Sequence, residues 1–330
     1  MSVADQIRRI KNAKAAIKQA IQNKGVVVSD EAKLSDYATL INSIVASESN
    51  SYWPDFFEMR TRNSAGYNYL FTNTYVKKAE TRYKELIENL DTSKCVSLLY
   101  TFNNFCNATG SDYITELDLT KWDVSKAITF GNMFTDCKLD YLDISGLDFS
   151  STMSSSGAFS LFMSAQIKEV NMSNCNTSKV TSYYRFAYQA TSLVTINMTG
   201  CDTSAMTSAS GMFYGCTKLT EIIGEIDGSN LTDGFYSSSA PFYNCTSLET
   251  LYLKNIYKDC TITNANKFGI NLEKTKVKDE CLVYIIDQLP NLADKGITNN
   301  TAIKLTLPTV NTLTDEQKQV AIDKGWIVVN

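Results

Sequence analysis

The chain of 330 residues contains no histidine. Histidine is the commonest general base near neutral pH and the commonest zinc ligand, so its absence excludes Ser-His and Cys-His nucleophile pairs. No Gly-x-Gly-x-x-Gly phosphate loop or Gly-x-Ser-x-Gly nucleophile elbow occurs, and the acidic residues are scattered rather than paired. We therefore expect a protein that is not an enzyme and that binds no cofactor and no catalytic metal.

Long apolar runs and basic blocks are also missing. No apolar stretch is long enough to cross a membrane, so the sequence predicts no membrane insertion. The net charge is −4 and no lysine and arginine cluster occurs, which argues against a nucleic-acid partner. The first 22 residues are charged throughout, and this pattern is not that of a secretory signal peptide.

The nine cysteines do not suggest a disulfide framework, because their number is odd and no Cys-x-x-Cys motif occurs. Cys137, Cys216 and Cys245 recur at one position of a repeat described below. A free cysteine at such a position acts as a small buried hydrophobic residue. We expect buried thiols, with disulfides or a metal site as the alternatives.

A repeat is the strongest pattern that is present. Asn176-Thr177-Ser178 returns 26 residues later as Asp202-Thr203-Ser204, and Leu193 and Ile196 return as Leu219 and Ile222. A period of this length indicates a solenoid of stacked turns, because one such unit cannot bury its apolar faces alone. The sequence thus predicts an α/β repeat solenoid with short parallel strands.

Each repeat, between residues 91 and 255, ends in a strand motif that alternates apolar and polar residues, as in Leu117-Asp118-Leu119. Alternation places the apolar pair on the inner face and the middle residue on the outer face. The outer residues form a candidate cation or sugar site, with a merely solvated polar ladder as the alternative. They are Asp118, Asp143, Asn171, Asn197 and Tyr252.

Tyrosines between the repeat strands form a second candidate site for a glycan or a protein partner. Tyrosine is favoured at binding surfaces because its ring is apolar and its hydroxyl forms hydrogen bonds. The alternative is that these rings pack between the repeats and have no binding function. The residues are Tyr183, Tyr184, Tyr188, Tyr214 and Tyr243.

The two ends lie outside the repeat. Residues 1–48 predict a helical attachment or oligomerisation segment, and its apolar seam favours three or four strands. An ordinary helical hairpin is the alternative. Aromatic-rich residues 53–90 predict an N-terminal cap, and residues 256–330 predict a C-terminal αβ cap with a capping box at Thr314 to Gln317. The seam consists of Val3, Ile7, Ile10, Ile17 and Ile21.

Trp122-Asp123-Val124-Ser125 with Met133-Phe134-x-x-Cys137, and the copy from Gly211 to Leu219, resemble the BspA-type leucine-rich repeat. That repeat is found in bacterial surface proteins and Mycoplasma lipoproteins. Two copies, at residues 148–172 and 174–198, depart from the pattern. The latter has Ala187 and Ala190 at the phenylalanine and cysteine positions, so we expect different packing there.

The N-terminal segment, with Ile7 to Lys11 and Leu34 to Tyr37, resembles virion fibre and tail proteins of gut phages, including crAss-like phages. At the other end, Leu313 to Trp326 resembles the terminal cap often seen after these repeats in Bacteroidetes and their phages. This resemblance implies a structural protein of a virion, assembled in the host cytoplasm. It would attach to other virion proteins through its N-terminal segment, form a homotrimer, and bind a glycan or protein on the host surface. A bacterial adhesin-like surface protein and an architectural decoration without receptor binding are the alternatives.

Overall fold

The structure is a computed structural model, and it describes Lys18 and residues 70–152, 160–232, 240–262 and 268–330. Contacts divide the chain into two units, Met1–Met59 and Arg60–Asn330. Everything described below belongs to the second unit. The predicted seam of Val3, Ile7, Ile10, Ile17 and Ile21 lies outside the described residues.

The centre of the second unit is a parallel sheet of six strands whose spatial order is their chain order. Each strand is one turn further along the chain than its neighbour, which is the topology of a β-solenoid. The connections among the described residues are turns rather than helices. The strands are β1 (Glu116–Asp118), β2 (Lys138–Asp143), β3 (Gln166–Asn171), β4 (Thr195–Asn197), β5 (Glu221–Asp227) and β6 (Thr250–Lys254).

The strands pair in the register that the repeat predicts. Leu117 pairs with Leu142, Leu142 with Val170, and Val170 with Ile196. These side chains are buried, as are the apolar residues two positions further on, such as Leu119 and Met172. The prediction of a stacked aliphatic core is confirmed, and each such side chain contributes roughly 1.5–3 kcal/mol by its burial.

One strand carries an irregularity. The register between β5 and β6 shifts between Glu221 and Glu225. Gly224 lies in this bulge at φ +102°, where an added Cβ would be 2.9 Å from the backbone nitrogen of Thr199. Glycine is needed there because a side chain would strain the backbone and collide with the neighbouring turn.

The Asp/Asn-x-Ser motif forms an Asx turn, in which a side-chain oxygen accepts a hydrogen bond from the backbone N–H two residues on. The Asp123 Oδ1–Ser125 N distance is 3.0 Å and the Asp202 Oδ1–Ser204 N distance is 2.9 Å. The hydroxyl of Ser125 also donates to Asp123, and together these bonds lower the pKa of that carboxyl. The motif therefore defines a corner of the solenoid.

A column of phenylalanine rings runs through the core, with one ring from each turn. Phe102 and Phe134 stack with centroids 5.2 Å apart, and Phe134 and Phe162 stack at 5.5 Å. We call this set the phenylalanine column. It consists of Phe71, Phe102, Phe134, Phe162, Phe186, Phe213 and Phe242.

The repeat at residues 174–198, which we call the fourth repeat, packs differently from the others, as its sequence predicts. The backbone N–H of Ala187 bonds to Met212, as that of Phe213 bonds to Pro241, so Ala187 does occupy the phenylalanine position. The missing ring is supplied by Phe186, one residue earlier. Phe186 makes edge contacts with Phe162 at 5.2 Å and Phe213 at 5.8 Å, where other members of the column stack face to face.

The N-terminal end of the solenoid carries helix α1 (Thr81–Glu88). The Glu88 carboxylate accepts a hydrogen bond from Asp118 N on the edge strand β1, and the Trp122 indole donates to Ile87 O at 2.8 Å. These contacts cover an otherwise open strand edge, which protects it against pairing with other chains. The phenylalanine column begins at Phe71, so the stack starts within the segment predicted as a cap.

The C-terminal segment forms a second parallel sheet with two helices. The capping box at Thr314 and Gln317 is present, and Gly325 follows the last helix at φ +84°. The Trp326 indole donates to Pro290 O at 3.0 Å. The elements are β7 (Gly269–Asn271), α2 (Asp279–Asp287), a 3-10 turn (Ala293–Lys295), β8 (Lys304–Thr306), α3 (Asp315–Asp323) and β9 (Ile327–Val329).

All nine cysteines are free thiols, and eight of them are buried. Burial raises the pKa of the Cys245 thiol to about 12 and also raises that of Cys216 well above its usual value. The prediction that the cysteines act as small core residues is confirmed for these positions. Cys201 is the exception, because it is partly exposed.

Candidate functional site: an exposed tyrosine ladder

Three tyrosines from successive turns stack on the outside of the solenoid. The ring centroids of Tyr188 and Tyr214 are 4.9 Å apart with an interplanar angle of 12°. Those of Tyr214 and Tyr243 are 5.3 Å apart at 19°. We call Tyr188, Tyr214 and Tyr243 the tyrosine ladder.

Backbone hydrogen bonds fix the spacing of this ladder. Each tyrosine directly follows the phenylalanine position of its turn, and its carbonyl accepts from the turn before. Gln189 N donates to Tyr214 O at 2.7 Å, and Gly215 N donates to Tyr243 O at 2.9 Å. The rings therefore repeat at close to the spacing of neighbouring β-strands, about 4.7–4.9 Å.

The residue after each ladder tyrosine has a left-handed backbone, which turns the chain back into the core. Gln189 has φ +57°, Gly215 +75° and Asn244 +60°. The equivalent residues of earlier turns, Asn104 and Asp136, share this conformation. Asparagine, aspartate and glycine tolerate it best, which explains why short polar residues recur after this position.

Arg185 extends the ladder with a cation. Its guanidinium carbon lies 4.9 Å from the Tyr188 ring centroid and 5.1 Å from that of Tyr184, in cation–π geometry. Gly211 makes room for this arrangement, because a Cβ there would lie 3.2 Å from Tyr188 and 3.5 Å from Arg185. Tyr184 is 40% exposed and Tyr243 is 37% exposed.

Ring stacking determines which atoms the ladder offers to a ligand. Both faces of the Tyr214 ring are covered, by Tyr188 and by Tyr243. The central ring can therefore offer a ligand only its edge and its phenol hydroxyl, with the exposed Arg185 beside Tyr188. This surface suits hydrogen bonding and edge contacts, whereas the stacking of a sugar on an aromatic ring requires a free ring face.

Of the predicted binding tyrosines, the structure brings together Tyr184, Tyr188 and Tyr214, with Tyr243. Tyr183 is the exception and its assignment to a binding surface is wrong, because it is fully buried at 0% exposure. Its ring makes an edge contact with Phe186 at 5.6 Å, so it helps to fill the core where Ala187 replaces a phenylalanine. Sequence reasoning assigned no role at this site to Arg185, which directly follows Tyr184, or to Gly211, which begins a quoted copy of the repeat.

The side chains of the predicted polar ladder lie in register on the sheet, but their hydrogen bonds stabilise the turns of the fold. Asp118 pairs with Asp143, Asp143 with Asn171, and Asn171 with Asn197. Each side-chain oxygen accepts from a backbone N–H two residues on, as in Asp143 Oδ1–Ser145 N at 2.9 Å and Asn197 Oδ1–Thr199 N at 3.0 Å. The ladder thus forms a second line of Asx turns.

Both carboxylate oxygens of Asp143 accept hydrogen bonds from neighbouring residues. It also accepts hydrogen bonds from Asn171 Nδ2, at 3.2 and 3.1 Å, and from the Tyr141 hydroxyl at 3.1 Å. Partial burial acts to raise the pKa of Asp143, but the bonds from Ser145, Asn171 and Tyr141 outweigh it and lower the pKa. These contacts favour the structural alternative for the polar ladder.

Tyr252 does not belong to the polar ladder. Because of the bulge in β5, Asn197 pairs with Ile223, and Tyr252 pairs with Glu225. The Tyr252 ring makes an edge contact with Tyr284 of α2 at 5.2 Å. The predicted place of Tyr252 in the ladder is therefore wrong, and the residue joins the sheet to the C-terminal segment.

Among the residues that the structure describes, no group of three or more cysteine, aspartate or glutamate side chains is placed to hold a metal ion. No helix among them combines the length and the apolar character needed to cross a bilayer.

The fold defines the class of this molecule as a parallel β-solenoid built from short repeats. Residues 68–168 and 160–255 match the family described as "Mycoplasma protein of unknown function, DUF285". The two matches cover more than half of the chain, so the protein belongs to this family, in agreement with the BspA-type resemblance. No curated protein and no solved structure matches the chain. The likeness of the ends to phage proteins has no support here and stays a prediction.

Proposed function

We propose that the protein is a non-catalytic binding protein that acts at a cell or virion surface and contacts a protein partner through the tyrosine ladder. The solenoid is the scaffold, and the ladder with Tyr184 and Arg185 is the contact surface. The observation that carries this proposal is the stacking of Tyr188, Tyr214 and Tyr243 on the outside of three consecutive turns.

The distribution of the tyrosines supports a binding role. The position after the phenylalanine is Thr72, Asn103, Thr135 and Met163 in the earlier turns, and it is tyrosine only in the last three. A solenoid turn can therefore form without a tyrosine at this position. Packing alone does not account for three in succession with an arginine beside them.

The chemistry of the surface favours protein over glycan. Tyrosine and arginine are the residues most enriched at protein–protein contacts, where an apolar edge and a hydrogen-bonding tip act together. Both faces of the central ring, Tyr214, are covered and Arg185 lies over the Tyr188 ring, which reduces the surface on which a sugar would stack. A glycan remains the alternative ligand that the experiment below tests.

Whether the protein is part of a virion or of a bacterial surface is a separate question. The sequence-based hypothesis is a phage virion, attached through residues 1–48 as a homotrimer with other virion proteins, and a bacterial surface protein is its alternative. Light scattering on the full chain tests the trimer. A monomer at micromolar concentration would contradict it.

The binding proposal is tested with a ladder variant. Tyr188→Thr, Tyr214→Thr and Tyr243→Thr are combined, since threonine occurs at this position in an earlier turn. Fluorescently labelled protein is applied to intact bacterial cells, to protease-treated cells and to a glycan array. We expect protease-sensitive cell binding by the wild type and a loss of at least about tenfold in the variant, which corresponds to about 1.4 kcal/mol.

The matched control is Tyr83→Thr, which removes an equally exposed tyrosine on α1 outside the ladder. It should bind like the wild type. Binding that survives protease and appears on the glycan array would replace the protein ligand with a sugar. Equal binding by the ladder variant and the wild type, or no binding to any probe, would contradict the proposal and favour an architectural role.

A further inference from the structure

Cys175 and Cys201 occupy the same position in two neighbouring turns, within Asn174-Cys175-Asn176-Thr177-Ser178 and Gly200-Cys201-Asp202-Thr203-Ser204. The turns are in register just before them, since Asn171 pairs with Asn197 and Asn174 N bonds to Thr199 O at 2.7 Å. Stacked residues in parallel turns lie about 4.8 Å apart, which is within the usual Cα separation of a disulfide.

The residues preceding the two cysteines are in close contact. Gly200 has φ +77°, and a Cβ there would be 3.4 Å from the Asn174 Cα. The sulfurs have parallel surroundings, with Cys175 Sγ 3.1 Å from Ile144 O and Cys201 Sγ 3.1 Å from Met172 O. Each thiol therefore donates to a backbone carbonyl of the preceding turn.

The two thiols differ in access to solvent. Cys175 is buried, whereas Cys201 is partly exposed. Cys201 lines an open cleft of about 350 Å³ together with Asp202, Glu225 and Lys254. A small oxidant can therefore reach Cys201 without unfolding the solenoid.

The pKa values of the two thiols also differ, and the more exposed thiol has the lower pKa. The neighbouring Cys175 thiol lowers the pKa of Cys201, whereas the Cys201 thiol and burial raise the pKa of Cys175. An accessible thiol with a lowered pKa is the more reactive nucleophile, and a second thiol beside it can resolve its oxidised form.

We propose that Cys175 and Cys201 form a peroxide-reactive dithiol that closes to a disulfide between adjacent turns. The Cys201 thiolate attacks one oxygen of hydrogen peroxide, the O–O bond breaks, and a sulfenic acid forms as hydroxide leaves. The Cys175 sulfur then attacks the Cys201 sulfur and displaces the hydroxyl group as water. In sum, two thiols and one peroxide give one disulfide and two waters.

A second pair in the same molecule provides an internal comparison. Cys216 and Cys245 also lie in neighbouring turns at equivalent positions, but both are fully buried. Burial raises the pKa of both. The two pairs therefore share the register of their turns. Of these four thiols, only Cys201 is partly exposed to solvent and has a lowered pKa.

The first experiment follows alkylation of the folded full chain by iodoacetamide, with each cysteine resolved by peptide mass spectrometry. Cys201 should react at least about tenfold faster than Cys216 or Cys245, because the thiolate is the reacting form. A Cys201 rate equal to that of the buried pair would overturn the proposal without any variant having to fold.

The second experiment treats the full chain with hydrogen peroxide, alkylates the remaining thiols and maps disulfides. We expect one cross-linked peptide pair, Cys175 with Cys201. Cys175→Ser should stop at a Cys201 sulfenic acid that dimedone traps, and Cys216→Ser should leave the cross-link unchanged, with circular dichroism verifying each fold. Random pairing, or oxidation of Cys201 with no cross-link in the wild type, would contradict the proposal.

Discussion

Phe213 and Tyr214 are neighbours in the chain, and each lies in a stack of aromatic rings that runs across the turns. The phenylalanine column is buried and extends from Phe71 to Phe242. The tyrosine ladder is partly exposed and spans only three turns. Both stacks have the same physical origin, since stacked turns bring equivalent side chains to contact distance. The difference in extent separates what the fold requires in every turn from what it merely permits.

The largest effect should come from interrupting the column. In Phe134→Ala, the ring between Phe102 and Phe162 is lost from a fully buried position. We expect a loss of about 3–5 kcal/mol in the free energy of unfolding, because a cavity remains where the ring packed. Urea denaturation followed by circular dichroism measures it, and a loss below about 1 kcal/mol would show that the column does not support the stack.

The fourth repeat offers a smaller and more specific test. Ala187→Phe restores the ring at the regular position while Phe186 still fills that space. We expect overpacking that costs about 1–3 kcal/mol. Adding Phe186→Met recreates the Met-Phe order of other turns, so the double variant should recover most of this loss. No recovery would mean that Phe186 is not the substitute for the missing ring.

The smallest expected effect concerns pH. Hydrogen bonds from Ser229 and Asn255 outweigh burial and lower the pKa of Asp227 below its usual 3.8. A carboxyl whose pKa is lowered by folding contributes stability that is present above pH 3.8 and is lost as the pH falls through the lower folded value.

Asp227→Asn keeps the Asx-turn acceptor and removes the charge, so stability should depend less steeply on pH below about 4. Urea midpoints measured from pH 7 to pH 2 test this expectation. The column contains no titratable group, and Phe134→Ala should therefore shift the midpoint equally at all these values. If the urea midpoints of Asp227→Asn and the wild type fell in the same way with decreasing pH, the stabilising role assigned to the Asp227 carboxylate would be contradicted.

Much of the fold was predictable from the repeat. Residues such as Leu117 and Leu142 showed the strand positions, because alternation of apolar and polar residues is a local signal. Two placements failed for reasons beyond local pattern. Tyr183 occupies a position that is buried in other turns too, as Phe130 and Ala209 are, and Tyr252 is displaced because Gly224 permits a bulge. Both depend on contacts between turns.

The candidate site was predicted in part for the same reason. The spacing of Tyr188 and Tyr214 identifies equivalent positions in adjacent turns, which predicts that the rings lie near each other. Their stacking, and the place of Arg185 against Tyr188, depend on side-chain conformations that the repeat pattern does not specify. The structural role of Asp143 and its neighbours became clear only from their hydrogen bonds.

The central claim is that the column is needed for folding and the ladder is not, and one paired measurement tests it most directly. The free energy of unfolding is compared for Phe213→Ala and Tyr214→Ala, which truncate adjacent residues of the same turn. We predict a loss of about 3–5 kcal/mol for Phe213→Ala. Tyr214→Ala should lose only about 1–2 kcal/mol, from two stacking contacts at a partly exposed site. Equal losses would contradict the account, because the ladder would then be as much a part of the folding core as the column.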